Sequence, residues 1–293
     1  MIVHFLGTAA AEGYPDAFCN CDNCNAARLA GGRSHRLRSS LLINDELLID
    51  FGPDLLTASM SQDVPLHSIS FGLQTHPHED HLDKLVFFAR NRYWDIVGVN
   101  PVEYFCAQST IDQLNRLFGR ESRLVDFNER QTQEAFNVSI TTIVPWQEFR
   151  FGHYRVQSIA TDHDAAKGSM VFAVEDGSGA RLFYGTDTGP LPSGSWERLE
   201  NLGWSFNLIV LDHTSGFGPP DGSHLNADQF VAEIDLARWH GLIADGAKIF
   251  AAHIAHRHNP PHEELVRLTS LAGYAPAYDG LRIEILPTQR VTS

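Results

Sequence analysis

The sequence predicts an α/β fold on the basis of three observations. Short apolar segments with the character of buried strands alternate with amphipathic segments of helical spacing along most of the chain. Polar side chains that can bind metals stand directly after several of these strands. With 293 residues, 43% of them hydrophobic and 20% charged, the chain has the composition of a globular protein with a large core. We expect one domain over residues 1–293.

The charge limits the classes of partner. Lys and Arg total 22 against 36 Asp and Glu, a formal net charge of −14. Such an acidic surface disfavours nucleic acid or an anionic membrane as a stable partner, although bound divalent metals can locally attract an anionic small molecule. No apolar run approaches the ~18 residues of a membrane span, and residues 1–7 lack the features of a signal peptide. We therefore expect a cytoplasmic protein without a membrane partner.

The first strand is predicted at residues 2–6, and the loop after it contains three cysteines. Cys19, Cys21 and Cys24 have the spacing C-x-C-x-x-C. In a reducing compartment this cluster indicates metal ligation before disulfide formation. Three thiolates leave one position of a tetrahedral zinc site open, and Cys₃His is a usual structural set. Unligated loop thiols are the alternative, and Cys106 has the context of a core residue.

Residues 39–43 and 46–50 predict a hairpin of buried strands. Asp50 follows the second strand and precedes a short helix that contains Leu55 and Leu56. The carboxylate of Asp50 has two roles that the sequence leaves open. It can orient a metal-bound histidine, or it can cap this helix.

A third strand is predicted at residues 69–75, followed by a helix over 82–90 that is apolar at 82, 85, 86 and 89. Between them lies the motif H-x-H-x-D-H of residues 76–81. The motif therefore stands at the carboxyl end of a strand, where open α/β sheets place their binding sites.

The motif supplies three imidazoles and a carboxylate, which are ligands for transition metals. Groups this close in sequence cannot all face one ion. We expect His76 and His78 to bind one ion, and Asp80 and His81 to bind another. A solvated polar turn is the alternative.

Residues 91–151 are less regular, and we expect lid or dimer elements among them. They include a predicted helix over 110–118 with Ser109 as its N-terminal cap.

The second half repeats the alternation of strands and helices. Strands are predicted at residues 155–160, 170–175, 181–184, 207–211 and 248–252, and Asn226 precedes an amphipathic helix over 227–240. Four of these strands end near a potential metal ligand or proton donor, which are His163, Asp187, Asp212 or His213, and His253. One histidine after a strand carries little information, but the repetition indicates a shared site.

The H-x-H-x-D-H motif after a strand is similar to the signature of the metallo-β-lactamase superfamily. The resemblance implies a four-layer αββα sandwich with two divalent catalytic metals, zinc or manganese. It also implies that His163 completes the first site with His76 and His78. His253 then completes the second site with Asp80 and His81, and Asp187 bridges the two ions.

A narrower resemblance is to the PhnP family, the cyclic phosphodiesterases of the carbon–phosphorus lyase pathway. It is carried by residues 6–9 before the cysteine loop at about 19–24, by His253-x-x-His256, and by residues 278–284. The resemblance implies a structural zinc on Cys19, Cys21, Cys24 and His256. It also implies a catalytic histidine, best matched by His224, although a helix-cap role is the alternative for residues 222–226.

The resulting functional prediction is a metal-dependent hydrolase that opens a small cyclic or nucleotide-like phosphodiester with a metal-bridging hydroxide. Asp80 and His224 are the catalytic candidates, and His213 is an alternative proton donor. The other hypotheses are a superfamily hydrolase of lactonase or β-lactamase type, and a PqqB-like biosynthetic or binding protein. The intact ligand motif disfavours the PqqB-like reading, and the cysteine loop disfavours an ordinary β-lactamase. A homodimer is left open.

Overall fold

The computed structural model describes residues 1–119 and 125–287. These residues form two seven-stranded mixed sheets that pack face to face, with helices on their outer sides. This arrangement confirms the predicted αββα sandwich.

The first sheet has the strand order β14-β1-β2-β3-β4-β5-β6. Strands β14, β1, β2 and β3 pair antiparallel, and strands β3 to β6 pair parallel. The strands are β1 (Ile2–Gly7), β2 (Ser40–Ile43), β3 (Leu47–Ile49), β4 (Phe71–Leu73), β5 (Val102–Cys106), β6 (Val138–Thr142) and β14 (Arg282–Glu284).

The second sheet has the strand order β13-β12-β11-β10-β9-β8-β7. Strands β10 to β13 are parallel, whereas β7 to β10 alternate in direction, so β8 runs the same way as β10, β11 and β12. The strands are β7 (Glu148–Phe151), β8 (Tyr154–Ala160), β9 (Met170–Glu175), β10 (Arg181–Gly185), β11 (Phe206–Asp212), β12 (Ile243–Ala252) and β13 (Ala275–Pro276).

Eight α-helices lie among the described residues, and none is long and apolar enough to cross a bilayer. Four 3₁₀ turns accompany them at Gly32–Ser34, Leu66–Ser68, Arg92–Trp94 and Ala165–Lys167. The helices are α1 (Asp22–Ala30), α2 (Leu55–Ser61), α3 (Lys84–Ala89), α4 (Gln108–Gly119), α5 (Arg130–Ala135), α6 (Ser195–Asn201), α7 (Ala227–Trp239) and α8 (His262–Ser270).

Three apolar layers hold the sandwich together. The central layer lies between the sheets and includes Phe5 and Leu73 from the first sheet and Phe172 and Val210 from the second. One outer layer packs the first sheet against its helices, and another packs the second sheet against its helices. Both faces of the central strands are therefore buried, which explains why β11 is an uninterrupted buried run rather than an alternating one.

The topology brings one set of strand ends together. Strands β8, β10, β11 and β12 all end at the same edge of the second sheet, because they run in the same direction. The loop after β4 of the first sheet meets this edge, where the backbone N–H of Met170 donates to the carbonyl of Thr75 at 3.0 Å. The segments that follow these five strands form the wall of the site described below.

One prediction about residues 91–151 needs correction. Helix α4 begins at Gln108, so Ser109 lies in its first turn and is not its cap; the Ser109 hydroxyl instead donates to the carbonyl of Lys167 at 2.5 Å. The region also contributes strands β5, β6 and β7 to the two sheets. The expectation of lid or dimer elements among its other residues stays a prediction. Cys106 is buried in β5, as predicted.

Candidate metal centre

The predicted ligands converge in two groups that share one carboxylate. The ligand atoms within each group all lie within 4.8 Å of one another. The first group is His76, His78, His163 and Asp187, and the second is Asp80, His81, His253 and Asp187.

In the first group, three imidazole nitrogens surround one side of Asp187. Nε2 of His163 lies 3.2 Å from Nδ1 of His78 and 3.4 Å from Oδ1 of Asp187. Nε2 of His76 lies 2.9 Å from Oδ2 of Asp187. These atoms lie close enough together to be ligands of a common ion.

The second group is built around Nε2 of His81. This nitrogen lies 3.1 Å from Oδ2 of Asp187, 3.3 Å from Oδ2 of Asp80 and 3.3 Å from Nε2 of His253. Asp187 therefore contacts both groups. The resemblance to the superfamily predicts a bridging carboxylate in this position.

The chemistry of these atoms fits metal ions. Nε2 of His76 and Oδ1 of Asp187 are buried, and among the described residues none of their close contacts has the geometry of a hydrogen bond. A buried polar atom without a partner is costly, and a cation between these atoms removes that cost. Imidazole nitrogens with carboxylate oxygens are ligands that suit zinc and manganese. The residues therefore fit a dinuclear centre.

Hydrogen-bond partners on the outer side hold several imidazoles in place. When one ring nitrogen bonds to the protein, the other is directed at the metal. The contacts are His76 Nδ1 with Thr75 Oγ1 at 2.9 Å, His78 Nε2 with Asp164 Oδ2 at 3.0 Å, His81 Nδ1 with Asp50 Oδ2 at 2.7 Å and His253 Nδ1 with Thr214 Oγ1 at 2.7 Å.

The contacts of Asp50 fit the first of its two predicted roles. Its carboxylate is fully buried, contacts His81, and accepts hydrogen bonds from the backbone and hydroxyl of Thr75 at 2.9 and 2.8 Å. Helix α2 begins at Leu55 with Asp54 in the cap position, so Asp50 does not cap it. The contacts support an orienting role for Asp50.

Asp212 is a second buried carboxylate of the centre, and the sequence did not distinguish it from His213. Its oxygens accept hydrogen bonds from the backbone N–H groups of Asp187 and Leu225, each at 3.1 Å. Oδ2 also lies 3.4 Å from Nδ1 of His253. Asp212 therefore contacts both Asp187, which belongs to both ligand groups, and His253 of the second group.

His224 lies beside the two ligand groups. Its Nδ1 is 3.2 Å from Oδ2 of Asp212 and 3.3 Å from Oδ1 of Asp187. Burial disfavours the protonated imidazole, but the hydrogen bond and charge of Asp212 outweigh burial and raise the pKa of His224. Capping of α7 is performed by Asn226, whose side chain accepts from the N–H of Gln229, so His224 is available for another role.

A further set of four residues offers one possible ligand atom each, and these atoms also lie within 4.8 Å of one another. The residues are Asp187, Asp212, His224 and His253. This set overlaps both ligand groups at Asp187 and the second at His253. The Asp212 oxygens already accept backbone hydrogen bonds, including one from Thr214 at 2.8 Å. His224 belongs to neither of the two ligand groups described above.

His213 does not face the centre, and its assignment as an alternative proton donor is wrong. Its Nδ1 lies 2.8 Å from the side-chain oxygen of Asn259, and its Nε2 lies 2.9 Å from the hydroxyl of Tyr274. The ring is fully buried against Phe230 of α7, and burial lowers its pKa to about 4. His213 is a core residue between β11 and the outer helices.

Burial and neighbouring charges set the ionisation of two of these ligands, His76 and Asp187. Burial lowers the pKa of His76 to about 4, so its imidazole is neutral near pH 7 and can donate a lone pair. Burial opposes ionisation of Asp187, but the charge of the nearby His253 outweighs burial and holds the pKa of Asp187 well below the usual range. Asp187 is therefore a carboxylate and His76 a neutral ring, the forms in which they bind metals.

A separate group is formed by Cys19, Cys21, Cys24 and His256, whose ligand atoms also lie within 4.8 Å of one another. Sγ of Cys21 lies 3.5 Å from Nδ1 of His256. Burial disfavours the Cys21 thiolate, but the backbone N–H of Cys24 and the His256 ring outweigh burial and lower its pKa to about 6. The structure thus brings the three loop cysteines to the turn after β12.

Two clefts open beside the dinuclear centre. The basic cleft has a volume of about 630 Å³, and its charged lining is Arg38, His78, Glu79, Asp80, Arg116 and Lys167. The acidic cleft has a volume of about 500 Å³, and its lining includes Glu12, Asp16, Thr214, Asp221, His224 and Arg257. The first cleft contains ligands of the centre, and the second contains His224.

Comparison with known proteins gives a family and a fold. A family model described as the beta-lactamase superfamily domain matches residues 46–263. No curated protein matches the chain.

Three solved structures illustrate the similarity. A diphosphatase from the PhnP family is 22% identical with a TM-score of 0.73, over 98% of this chain and 99% of that one. Zinc-bound PqqB from Methylobacterium extorquens is 18% identical with a TM-score of 0.67, over 97% of this chain and 100% of that one. The short form of human tRNase Z is 16% identical with a TM-score of 0.61, over 97% of this chain and 99% of that one.

Proposed function

The chain belongs to the beta-lactamase superfamily of metal-dependent hydrolases, and we propose that it opens a small cyclic or nucleotide-like phosphodiester. The observation that carries the proposal is His224, an imidazole beside the shared carboxylate Asp187 but outside the two ligand groups. Among the similar structures is a diphosphatase, which supports phosphate esters and anhydrides as the first substrates to test.

The roles of the residues follow from their positions. Two divalent metals held by the ligand groups would supply an activated water and neutralise charge on the phosphoryl oxygens. His76, His78 and His163 would hold one ion, and Asp80, His81 and His253 would hold the other, with Asp187 available to both. His224 would donate a proton to the leaving alkoxide, and its contact with Asp212 orients the imidazole and raises its pKa.

A turnover screen tests this function. Metal-loaded protein is assayed against an acyclic phosphodiester, a cyclic phosphate, a diphosphate, a phosphomonoester, a lactone and a lactam. We expect turnover of the two diesters well above the others. Faster turnover of the lactone or the lactam would replace the proposal with a lactonase or β-lactamase activity, and binding without turnover of any substrate would favour a PqqB-like protein.

The cysteine group has a structural role in this proposal. A zinc ion on Cys19, Cys21, Cys24 and His256 would fasten the first loop to the turn after β12 and so stabilise the fold. It would take no part in the reaction, because its ligands are distinct from those of the dinuclear groups.

Replacing Cys21 by Ser is expected to remove one zinc ion per chain and to lower the thermal unfolding temperature, because Ser is a poor zinc ligand. Metal analysis and thermal denaturation measure the two effects. Cys106→Ala is the matched control, since it removes a buried thiol outside the cluster and should retain all metal. Full zinc content in Cys21→Ser, or loss of only the catalytic metal, would overturn the assignment.

Replacing Asp50 by Asn is expected to weaken metal binding at the second site roughly tenfold to hundredfold. The charged partner that fixes the His81 ring is lost, while the volume of the side chain is kept. Competition with a chelator measures the affinity. Asp45→Asn is the control, because Asp45 is an exposed aspartate paired with Arg282. Unchanged affinity in Asp50→Asn would show that His81 does not depend on this carboxylate.

A further inference from the structure

One turn of the chain carries ligands of two different metal sites. His253 belongs to the second ligand group of the dinuclear centre, and His256, three residues later, belongs to the cysteine group. These two groups have no residue in common. The backbone at His253 has a positive φ of 54°, which few residues other than glycine adopt unless their surroundings hold them there. The contacts that hold this turn therefore bear on both sites.

Asn259 fastens the turn to the end of β11. Its side chain is fully buried, and its amide N–H groups donate to the carbonyls of Ala255 and His213, each at 3.0 Å, and of Thr214 at 3.3 Å. Thr214 is the residue whose hydroxyl contacts Nδ1 of His253 at 2.7 Å. Asn259 therefore holds the backbone of the residue that orients a ligand of the second ion.

The neighbours of Asn259 fix the plane of its amide. Because its N–H groups face three carbonyls, its side-chain oxygen is the acceptor, and Nδ1–H of His213 donates to it at 2.8 Å. Nε2 of the same ring then accepts from the hydroxyl of Tyr274 at 2.9 Å. Both ring nitrogens of His213 and the whole amide of Asn259 have partners, and a buried polar network that is satisfied in this way is rigid.

Tyr14 joins this network to the cysteine loop. Its buried hydroxyl donates to the backbone carbonyl of Asn259 at 2.8 Å, across 245 positions of the chain. Its ring lies in one small buried apolar cluster with Cys24 of the cysteine group and with Ile254, the residue after His253. The loop that carries the cysteines therefore contacts the turn at two places, one beside each end.

We propose that Tyr14 and Asn259 are positioning residues that couple the cysteine site to the second ion of the dinuclear centre. An occupied cysteine site would hold the loop that carries Tyr14, Tyr14 holds the turn through the carbonyl of Asn259, and the turn presents His253 to the second ion. An empty cysteine site consequently weakens the second catalytic site. By reciprocity, the second ion strengthens the cysteine site by the same factor.

The inference rests on the metal sites of the proposed function but not on the choice of substrate. The cysteine site would take no part in the reaction, yet the protein would lose turnover when zinc is too scarce to fill that site. The first ion has its imidazole ligands outside the turn, on His76, His78 and His163, so its affinity should change less. Metal binding at each separate site is therefore the measurement that tests the coupling.

Tyr14→Phe is the test variant, because it keeps the buried ring and removes only the hydroxyl. We expect the cysteine site to stay filled and the zinc affinity of the second catalytic site to fall roughly threefold to tenfold, the effect of one hydrogen bond. Anomalous diffraction from crystals equilibrated at a series of buffered free-zinc concentrations gives the occupancy of each site separately. Unchanged affinity at the second site, or equal losses at both catalytic sites, would overturn the proposal.

Tyr154→Phe is the matched control for the loss of a buried hydroxyl. The Tyr154 hydroxyl donates to Glu46 at 2.9 Å, and its side chain belongs to the central layer between the sheets. Both variants should lower the thermal unfolding temperature, but only Tyr14→Phe should weaken the second site. A second site weakened to the same extent in Tyr154→Phe would show that lower stability alone produces the effect.

A double-mutant cycle tests the transmission through Tyr14. At saturating zinc, Cys21→Ser should lack only the ion of the cysteine site. At limiting zinc, its second catalytic site should be weakened roughly threefold to tenfold, and adding Tyr14→Phe should weaken that site little further. Losses of binding free energy that add in full, or a second site of unaltered affinity in Cys21→Ser, would exclude the coupling.

Turnover separates this inference from the proposed function. A weaker second site in Tyr14→Phe, together with no turnover of any phosphodiester by the unaltered protein, would refute the phosphodiesterase alone. Turnover of a phosphodiester, together with the same second-site affinity in both proteins, would refute the coupling alone.

Discussion

Replacement of Asp187 by Ala is expected to abolish turnover, a loss on the order of 10³ or more in kcat, and to release at least one of two bound ions. Asp187 is the only residue that belongs to both ligand groups. Its Oδ2 lies 2.9 Å from Nε2 of His76 and 3.1 Å from Nε2 of His81, so its loss leaves imidazoles without the carboxylate that joins them. Metal content after buffer exchange and turnover of a phosphodiester measure the two effects.

A second variant separates the charge of Asp187 from its backbone conformation. Asp187 has a positive φ of 57°, which Ala tolerates poorly and Asn tolerates well. Asp187→Asn therefore keeps the turn and removes the charge, and we expect it to lose metal and activity as well. A fully metallated and active protein with either substitution would exclude Asp187 as the bridge.

The second large effect concerns His224 and depends on the leaving group. An alkoxide leaving group requires a proton, whereas p-nitrophenolate barely does. His224→Ala should therefore lower kcat by roughly 10²–10⁴ on an alkyl or ribosyl phosphodiester and much less on a p-nitrophenyl diester. The measurement is the ratio of the two losses at constant metal content.

Controls distinguish proton donation from positioning. His240→Ala removes a histidine that is paired with Glu200 on the outside of the molecule and should leave both rates unchanged. Equal losses on both diesters in His224→Ala would show that His224 positions the substrate or the metals. No loss on either would remove it from the reaction.

The ligands of the centre could be predicted because the sequence concentrates them. Four of them lie between His76 and His81, and the others follow strands that share one direction. The surrounding partners could not be predicted in this way. Asp164 contacts His78 from a position 86 residues away in the chain, and only the fold brings the two together.

The choice between Asp212 and His213 shows a second limit. Neighbouring residues of a strand point to opposite faces, so one of the two must face the centre. Alternation reveals the orientation only when one face is polar, and β11 is buried along its whole length. The sequence therefore located the strand end but not the functional side chain.

Ser109 shows a third limit. Serine is favoured at helix caps, and this preference placed the start of α4 at residue 110. The hydroxyl instead bonds to Lys167, 58 positions away in the chain, and the helix begins at Gln108. Long-range contacts outweighed a local preference.

The position of β1 in the first sheet has a consequence for folding. This strand lies between β2 and β14, and Thr8 just after it donates to Asp279, 271 positions away. Closing so long a loop costs little stability, because the entropy cost rises by only about 0.6 kcal/mol for each doubling of length. Contacts of this range do slow folding. During synthesis on the ribosome, one edge of β1 consequently stays unpaired until β14 has emerged, and over that interval it can aggregate with other nascent chains.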